Sequence, residues 1–266
     1  GYKNKLFSIE YVEGVRIIRL WTYIAPNSGI FRRLADFISF AFTSSIAGLF
    51  LEFDIVIATS PQFFTTFSAS FLSKVKNKPW IFELRDLWPE KAFVLLKASH
   101  FKLISSIFER IELFLYKDCN LIISVTNSYK ENLINRGINH KKIKVITNGV
   151  NLNLFKINSK RKKQKKIKKF TVGYIGTHGI SQGLDFILNA ISICKMNDIQ
   201  FLFIGDGACK NELVKLANKL HLKNVKFIDT CERKKIPSYY SSIDVALVCL
   251  KKDNIFKRVI PSKIFE

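Results

Sequence analysis

Short apolar runs alternate along the chain with longer segments whose apolar residues recur at helical spacing. The pattern predicts strands over 14–21, 54–59, 79–84, 120–125 and 144–147, with helices over 30–51, 63–76, 101–117 and 128–136. The strand-like runs are nearly continuous in Val, Ile, Leu and Phe rather than alternating with polar residues. Strands of that kind are buried on both faces, which argues for a parallel sheet covered by helices. Gly137 supplies a stop for the helix before it. After the turn Asn148-Gly149-Val150 the apolar content collapses over 160–169. Alternation then resumes with strand 170–175, helix 183–196, strand 199–204, helix 210–220, strand 224–228 and strand 243–250. The expectation is two doubly wound, Rossmann-like α/β domains with parallel sheets, 1–158 and 170–266, joined by a basic linker over 159–169. No internal sequence repeat is evident, and similar halves do not require one.

Ligands of such sheets bind outside the carboxyl ends of the strands. That rule selects Ser60-Pro61-Gln62, Arg85-Asp86-Leu87-Trp88-Pro89-Glu90, Thr126-Asn127-Ser128, Gly176-Thr177-His178-Gly179, Gly205-Asp206-Gly207 and the segment ending at Glu266. Two facing domains would bring the two sets of loops across one cleft.

Charge changes the picture next. The 266 residues carry 43 Lys and Arg against 21 Asp and Glu, a net charge of +22. Such an excess calls for anionic company: phosphorylated ligands, an acidic membrane surface or nucleic acid. Eight of the basic residues lie in 160–169, which has no aromatic residue to stack on single-stranded nucleic acid and reads as a solvated linker. The five cysteines, Cys119, Cys194, Cys209, Cys231 and Cys249, are scattered without a C-x-x-C pair. They form neither a disulfide framework nor a zinc pattern, and a reducing cytoplasmic compartment is expected. The most apolar stretch, 38–51, is broken by Ser39, Thr43, Ser44 and Ser45 and falls short of the ~20 residues that span a bilayer. A core helix or a helix lying against a membrane is the alternative. The expectation is that no signal peptide precedes Gly1.

The chemistry-bearing groups sit in the selected loops. Gly176-Thr177-His178-Gly179 follows an apolar strand and precedes a helix, so its glycines permit close approach of a phosphate. It lacks the ending of a P-loop and the spacing of a dinucleotide fingerprint. His178 is a candidate donor to a diphosphate oxygen, or a capping or solvated histidine. In Glu83-Leu84-Arg85-Asp86-Leu87-Trp88-Pro89-Glu90, a carboxylate beside an arginine has the means to orient a sugar hydroxyl or take its proton; a satisfied ion pair is the structural alternative. Pro261 suits the first turn of a helix that would carry Lys263 and Glu266 on one face. No His or Cys cluster has metal-ligand spacing, and there is no Asp-x-Asp pair for a nucleotide-bound cation.

Taken in order, six motifs resemble one family across the whole chain. They are Ala58-Thr59-Ser60-Pro61-Gln62-Phe63-Phe64, Glu83 to Glu90, Thr147-Asn148-Gly149-Val150, Gly173-Tyr174-Ile175-Gly176-Thr177-His178-Gly179 with Gln182-Gly183-Leu184, Ile204-Gly205-Asp206-Gly207, and Pro261-Ser262-Lys263-Ile264-Phe265-Glu266. They resemble the retaining glycosyltransferases of family 4, and within it the WbuB-like branch, associated with N-acetyl-fucosamine transfer in bacterial surface polysaccharide assembly. The resemblance implies a GT-B fold, with acceptor bound by the N-terminal domain and nucleotide sugar by the C-terminal one. It implies transfer without a metal or cofactor from a nucleoside-diphosphate sugar, expected to be UDP-linked.

By that similarity the catalytic set is Asp86, Lys263 and Glu266. Donor binding falls to Gly176, Thr177, His178, Gly179, Gly205, Asp206, Gly207, Arg258, Lys263 and Glu266, with Glu266 on the ribose and Lys263 on the diphosphate. Ser60, Gln62, Arg85, Asp86 and Trp88 face the acceptor. The acceptor implied is a lipid-linked diphosphate saccharide of O-antigen or capsule synthesis. The enzyme would then work as a peripheral protein on the cytoplasmic face of the membrane, with no nucleic-acid partner. The chain departs from the family where an Arg and a Lys are usual: Thr177 and Gln182 stand in that region, and Arg258 replaces a first glutamate. Both domains are expected to be incomplete, lacking a first strand and loop before Gly1 and a closing segment after Glu266. Two other readings stay open: a two-domain sugar-nucleotide epimerase, and a degenerate sugar-nucleotide-binding module.

Overall fold

The structure, a computed structural model, describes residues 5–24, 30–60, 63–87, 102–155, 169–195, 198–253 and 256–266. The chain separates into two compact units, Gly1–Thr147 and Asn148–Glu266. The basic run up to Lys168 and the expected site residues Gln62 and Trp88 lie outside the described residues.

The N-terminal unit begins with a hairpin, β1 (Phe7–Val12) and β2 (Val15–Leu20), paired antiparallel. Its turn, Glu13-Gly14, has positive φ at both residues, 50° and 82°, the geometry that two-residue hairpins favour. The strand predicted over 14–21 is therefore real, but it pairs in a separate two-stranded sheet and not in the parallel one. Thr22, Tyr23 and Trp21 then bond to the helix α1 (Ile30–Leu49) through Asp36, Ser39 and Thr43.

That helix packs on α2 (Thr65–Lys76) along small residues. Ser44 and Ser68 share a hydroxyl contact of 2.9 Å, Ser68 donates to the Ala41 carbonyl at 2.7 Å, and a Cβ on Gly48 would lie 2.3 Å from Leu72. Ser44, one of the serines that interrupt the apolar run, thus lies in a packing seam, while Ser39 bonds to Tyr23 and Ser45 back to the Ala41 carbonyl, so all three hydroxyls are satisfied.

The parallel sheet has the order β3-β4-β5-β6: Val56–Thr59, Trp80–Leu84, Leu121–Ser124 and Ile143–Val145. Helices α3 (Lys102–Asp118) and α4 (Asn127–Asn135) complete the crossovers. Trp80, Phe82, Leu84, Leu115, Tyr116, Ile122 and Leu133 are each no more than 1% exposed and form the core. Thr126 caps α4 by accepting from the Tyr129 N–H at 3.1 Å, and Gly137 (φ 84°) ends it as expected.

In the C-terminal unit the order is β10-β7-β8-β9, all parallel: β7 (Phe170–Ile175), β8 (Ile199–Ile204), β9 (Val225–Ile228) and β10 (Val245–Ala246). The helices are α5 (Leu184–Cys194), α6 (Lys210–Lys219) and the short α7 (Ile236–Tyr240). Tyr174, Leu188, Phe201, Phe203 and Leu213 build its core. The strand predicted over 243–250 reduces to two residues at the sheet edge. The helix predicted from Pro261 is a single 3-10 turn, Ser262–Ile264. Progress runs from β7 to β8 to β9 on one side, whereas β10 returns to the other side of β7. The strand order therefore reverses between β7 and β10, where a doubly wound sheet opens a crevice for a ligand. Among the described residues no helix is long and apolar enough to cross a membrane.

Candidate functional site

The loop after β7 and the segment after β10 flank that reversal, and the structure brings them into contact. Gly176 has φ 139°, and a Cβ there would lie 2.7 Å from Lys263 Nζ. The Lys263 ammonium rests over the Tyr174 ring, 3.8 Å from its centroid. No carboxylate lies within ion-pair distance of it among the described residues. Burial lowers its pKa to about 8, partly countered by Cys249 and Glu266. A half-desolvated cation beside bare backbone, without an acidic partner, is suited to receive an anion.

The loop's own N–H groups are mostly engaged. Gly176 N–H donates to Ile204 O at 2.9 Å, His178 N–H to Asp206 O at 2.8 Å, and Gly179 N–H to Gln182 Oε1 at 3.1 Å. Gln182, one of the departures from the family pattern, thus closes the loop. Of the four, the Thr177 N–H has no partner among the described residues, while its carbonyl accepts from the Tyr174 hydroxyl at 2.7 Å. Of this loop, expected among the donor-binding residues, one N–H therefore stays unengaged among the described residues, that of Thr177, next to the Gly176 backbone that the Lys263 ammonium approaches.

Gly205 and Gly207 are explained by packing. At Gly205 (φ 137°) a Cβ would meet Gly176 O at 2.1 Å, and at Gly207 (φ 157°) it would meet the His178 carbonyl oxygen at 2.6 Å. The two loops interlock backbone to backbone, which only glycine permits. Asp206 is exposed, and its carboxylate accepts from the Gly207 N–H at 2.8 Å. Lys210 donates to Gly205 O at 3.0 Å and pairs with Asp229.

His178 departs most from expectation. Its side chain is fully buried, packed by Tyr174, Phe203 and Phe227 at centroid distances of 5.8, 6.5 and 6.1 Å, and neither ring nitrogen has a partner. Burial, with smaller contributions from Lys210 and Lys263, lowers its pKa to about 4. It is a neutral core ring here, and not an exposed donor to phosphate.

At the chain's end, exposed Glu266 accepts from the Tyr240 hydroxyl at 3.3 Å, and burial pushes that phenol up to about 12. Arg258 lies half-buried in a 3-10 turn five residues before Lys263. Tyr174 and Tyr240 were missed by sequence reasoning. Tyr174 had a signal: two residues before Gly176 in a strand, it shares that glycine's face.

In the N-terminal unit Ser60 is 1% exposed and fully committed. Its Oγ accepts from the Arg85 N–H at 2.9 Å and the Asp86 N–H at 3.3 Å, and contacts Asp86 O at 3.3 Å. It pins the ends of β3 and β4, and its burial leaves the expected acceptor-side hydroxyl without an exposed surface. Arg85 is exposed and Asp86 half-buried. Thr59 donates to Glu83 Oε2 at 2.5 Å, so that carboxylate is held at the strand end. A polar hollow lined by Lys74, Asn77 and Asp118 opens at the opposite, amino ends of β4 and β5. Asp118 there is taken by Ser70, Lys74 and Trp80.

Residues 7–154 match the sequence model of glycosyltransferase family 4. The chain belongs to that family. Residues 155–255 match the model for glycosyl transferases group 1. A 41.2 kDa protein in the cps region of Klebsiella pneumoniae is 26% identical over 220 residues, covering 77% of this chain and 58% of that protein. TuaH of Bacillus subtilis (strain 168), whose name provisionally makes it a teichuronic acid biosynthesis glycosyltransferase, is 28% identical over 129 residues, 47% of this chain and 32% of that protein. The crystal structure of Anabaena HepE in complex with UDP and glucose has a TM-score of 0.61 at 20% identity, covering 85% of this chain and 59% of that one. At that identity the likeness concerns the fold: two Rossmann-like α/β units of the GT-B class. This family 4 chain spans under two thirds of the length of each of these proteins.

Proposed function

We propose that the protein is a retaining glycosyltransferase of bacterial surface polysaccharide synthesis. It moves a sugar, of N-acetyl-fucosamine type, from a UDP-linked donor to a lipid-linked diphosphate saccharide at the cytoplasmic membrane face. The observation that carries the reading is the Lys263 ammonium, without a carboxylate partner among the described residues, held against Gly176 at the strand-order reversal. Family membership, the cps-region relative and the UDP bound by Anabaena HepE support it.

The chemistry follows from charge. As the bond between sugar and diphosphate breaks, negative charge grows on the leaving oxygens. A cation fixed beforehand at that place stabilises the transition state more than the ground state. Lys263 and the Thr177 N–H are suited to that task. Glu266, exposed beside Tyr240, takes the ribose hydroxyls, and Arg258 adds positive charge nearby. Asp86 works on the acceptor side, as base or orienting carboxylate. No metal or cofactor is proposed.

Lys263→Ala is expected to lower transfer, followed as lipid-linked product by mass spectrometry, on the order of 100-fold. Turnover within about threefold of wild type would contradict the role.

A further inference from the structure

Tyr174 is fully buried and has three engagements at once. Its hydroxyl donates to Thr177 O at 2.7 Å, its ring face lies 3.8 Å from the Lys263 ammonium, and its ring packs on His178 at 5.8 Å. Tyr174 therefore touches both the backbone and the cation of the proposed diphosphate site. A lysine ammonium on a four-carbon stem otherwise samples many rotamers, and ordering it costs entropy. A carboxylate would order it, yet would also compete with phosphate for its charge. The negative face of an aromatic ring attracts the cation without neutralising it. Glu266, three residues on, is itself engaged by Tyr240, which leaves the ring as the Lys263 contact.

We propose that Tyr174 is a positioning residue whose ring face holds the Lys263 ammonium over Gly176, and so sets affinity for a diphosphate group without touching it. The hydroxyl has a second task, fixing the Thr177 carbonyl and with it the direction of the loop. The inference rests on the donor-site reading of Lys263.

The test is calorimetric titration of inorganic pyrophosphate and of UDP into wild type, Tyr174→Phe, Tyr174→Leu, Lys263→Ala and the double variant. Tyr174→Leu is expected to weaken both ligands about 10-fold, within the range of a partly desolvated cation–ring contact. Tyr174→Phe keeps the ring and should stay within about threefold. In the Lys263→Ala background Tyr174→Leu should cost no more than Tyr174→Phe does, since the ring then has no cation to hold and only the hydroxyl contact to Thr177 is lost. Wild-type affinity should also fall as pH rises past about 8, where Lys263 loses its proton, and Lys263→Ala should lack that fall. If Tyr174→Leu does not fold, a ring-fluorinated phenylalanine at 174, which keeps the shape and drains the ring's negative face, should reproduce the loss. An equal loss from Tyr174→Leu with and without Lys263, or no loss in a folded ring variant, overturns the positioning role alone. Wild type that binds neither ligand, or Lys263→Ala that binds like wild type, overturns the donor-site reading and this inference with it.

Discussion

In the unfolded chain the imidazole of His178 takes a proton near its usual pH 6.5, but in the fold only near 4, because the charged ring would sit in an apolar core. Between those values the unfolded state binds a proton that the folded state does not. Stability from this residue is complete above about pH 6.5, is lost as pH falls toward 4, and changes no further below that. The loss is about 3 kcal/mol. Urea unfolding at pH 7 and pH 4.5 should show a smaller acid loss in His178→Phe than in wild type; equal losses would contradict the assignment. At this scale the sequence was partly legible. Lys263 could be found because a proline-started turn after a strand is where a cation serves an anion. The burial of His178 could not, because a histidine between two glycines reads as an exposed loop tip. What buries it is the β8–α6 loop folded over it, a contact between residues some 30 positions apart.

Those interlocked loops are the element that shapes the site. Gly205→Ala would press a Cβ to within 2.1 Å of Gly176 O at φ 137°, where an L side chain is also strained. A cost of roughly 2–4 kcal/mol in unfolding free energy is expected. Gly149→Ala, with nothing within 4 Å, should stay within about 0.5 kcal/mol. Denaturant midpoints of the two variants check this; similar midpoints would contradict the packing account. Strands 170–175 and 199–204 were readable to the residue, since each is mostly apolar, with one polar residue near its start, and is followed directly by glycine. β1 was not, because Phe-Ser-Ile-Glu-Tyr-Val is an exposed hairpin strand without the buried-strand pattern. β10 came out shorter than its apolar run, because at the sheet edge only Val245 and Ala246 pair with β7.

At the scale of the molecule, periodicity alone marked two parallel α/β units, and the motifs marked the family. The sugar, its nucleotide and the acceptor were not legible, because they depend on side-chain geometry and on chemistry outside this chain. Exposed Ile38, Phe42 and Ile46 recur every four residues along one face of α1, followed by exposed Phe50. With the +22 charge, this face is the surface on which the proposed docking to an acidic membrane would rest. The protein should float with anionic vesicles at low salt and less so at high salt, and Phe42→Ser should weaken flotation. Absence of binding at low salt would contradict it.

The central claim is transfer from a nucleotide sugar to an acceptor. It is tested most directly by incubating the protein with a panel of nucleoside-diphosphate sugars, with and without a lipid-linked diphosphate saccharide, and following all species by mass spectrometry. The account predicts that one donor is consumed only when acceptor is present, giving an acceptor heavier by one sugar and free nucleoside diphosphate. Conversion of a donor to its epimer without acceptor, or no consumption of any donor across the panel, would contradict it.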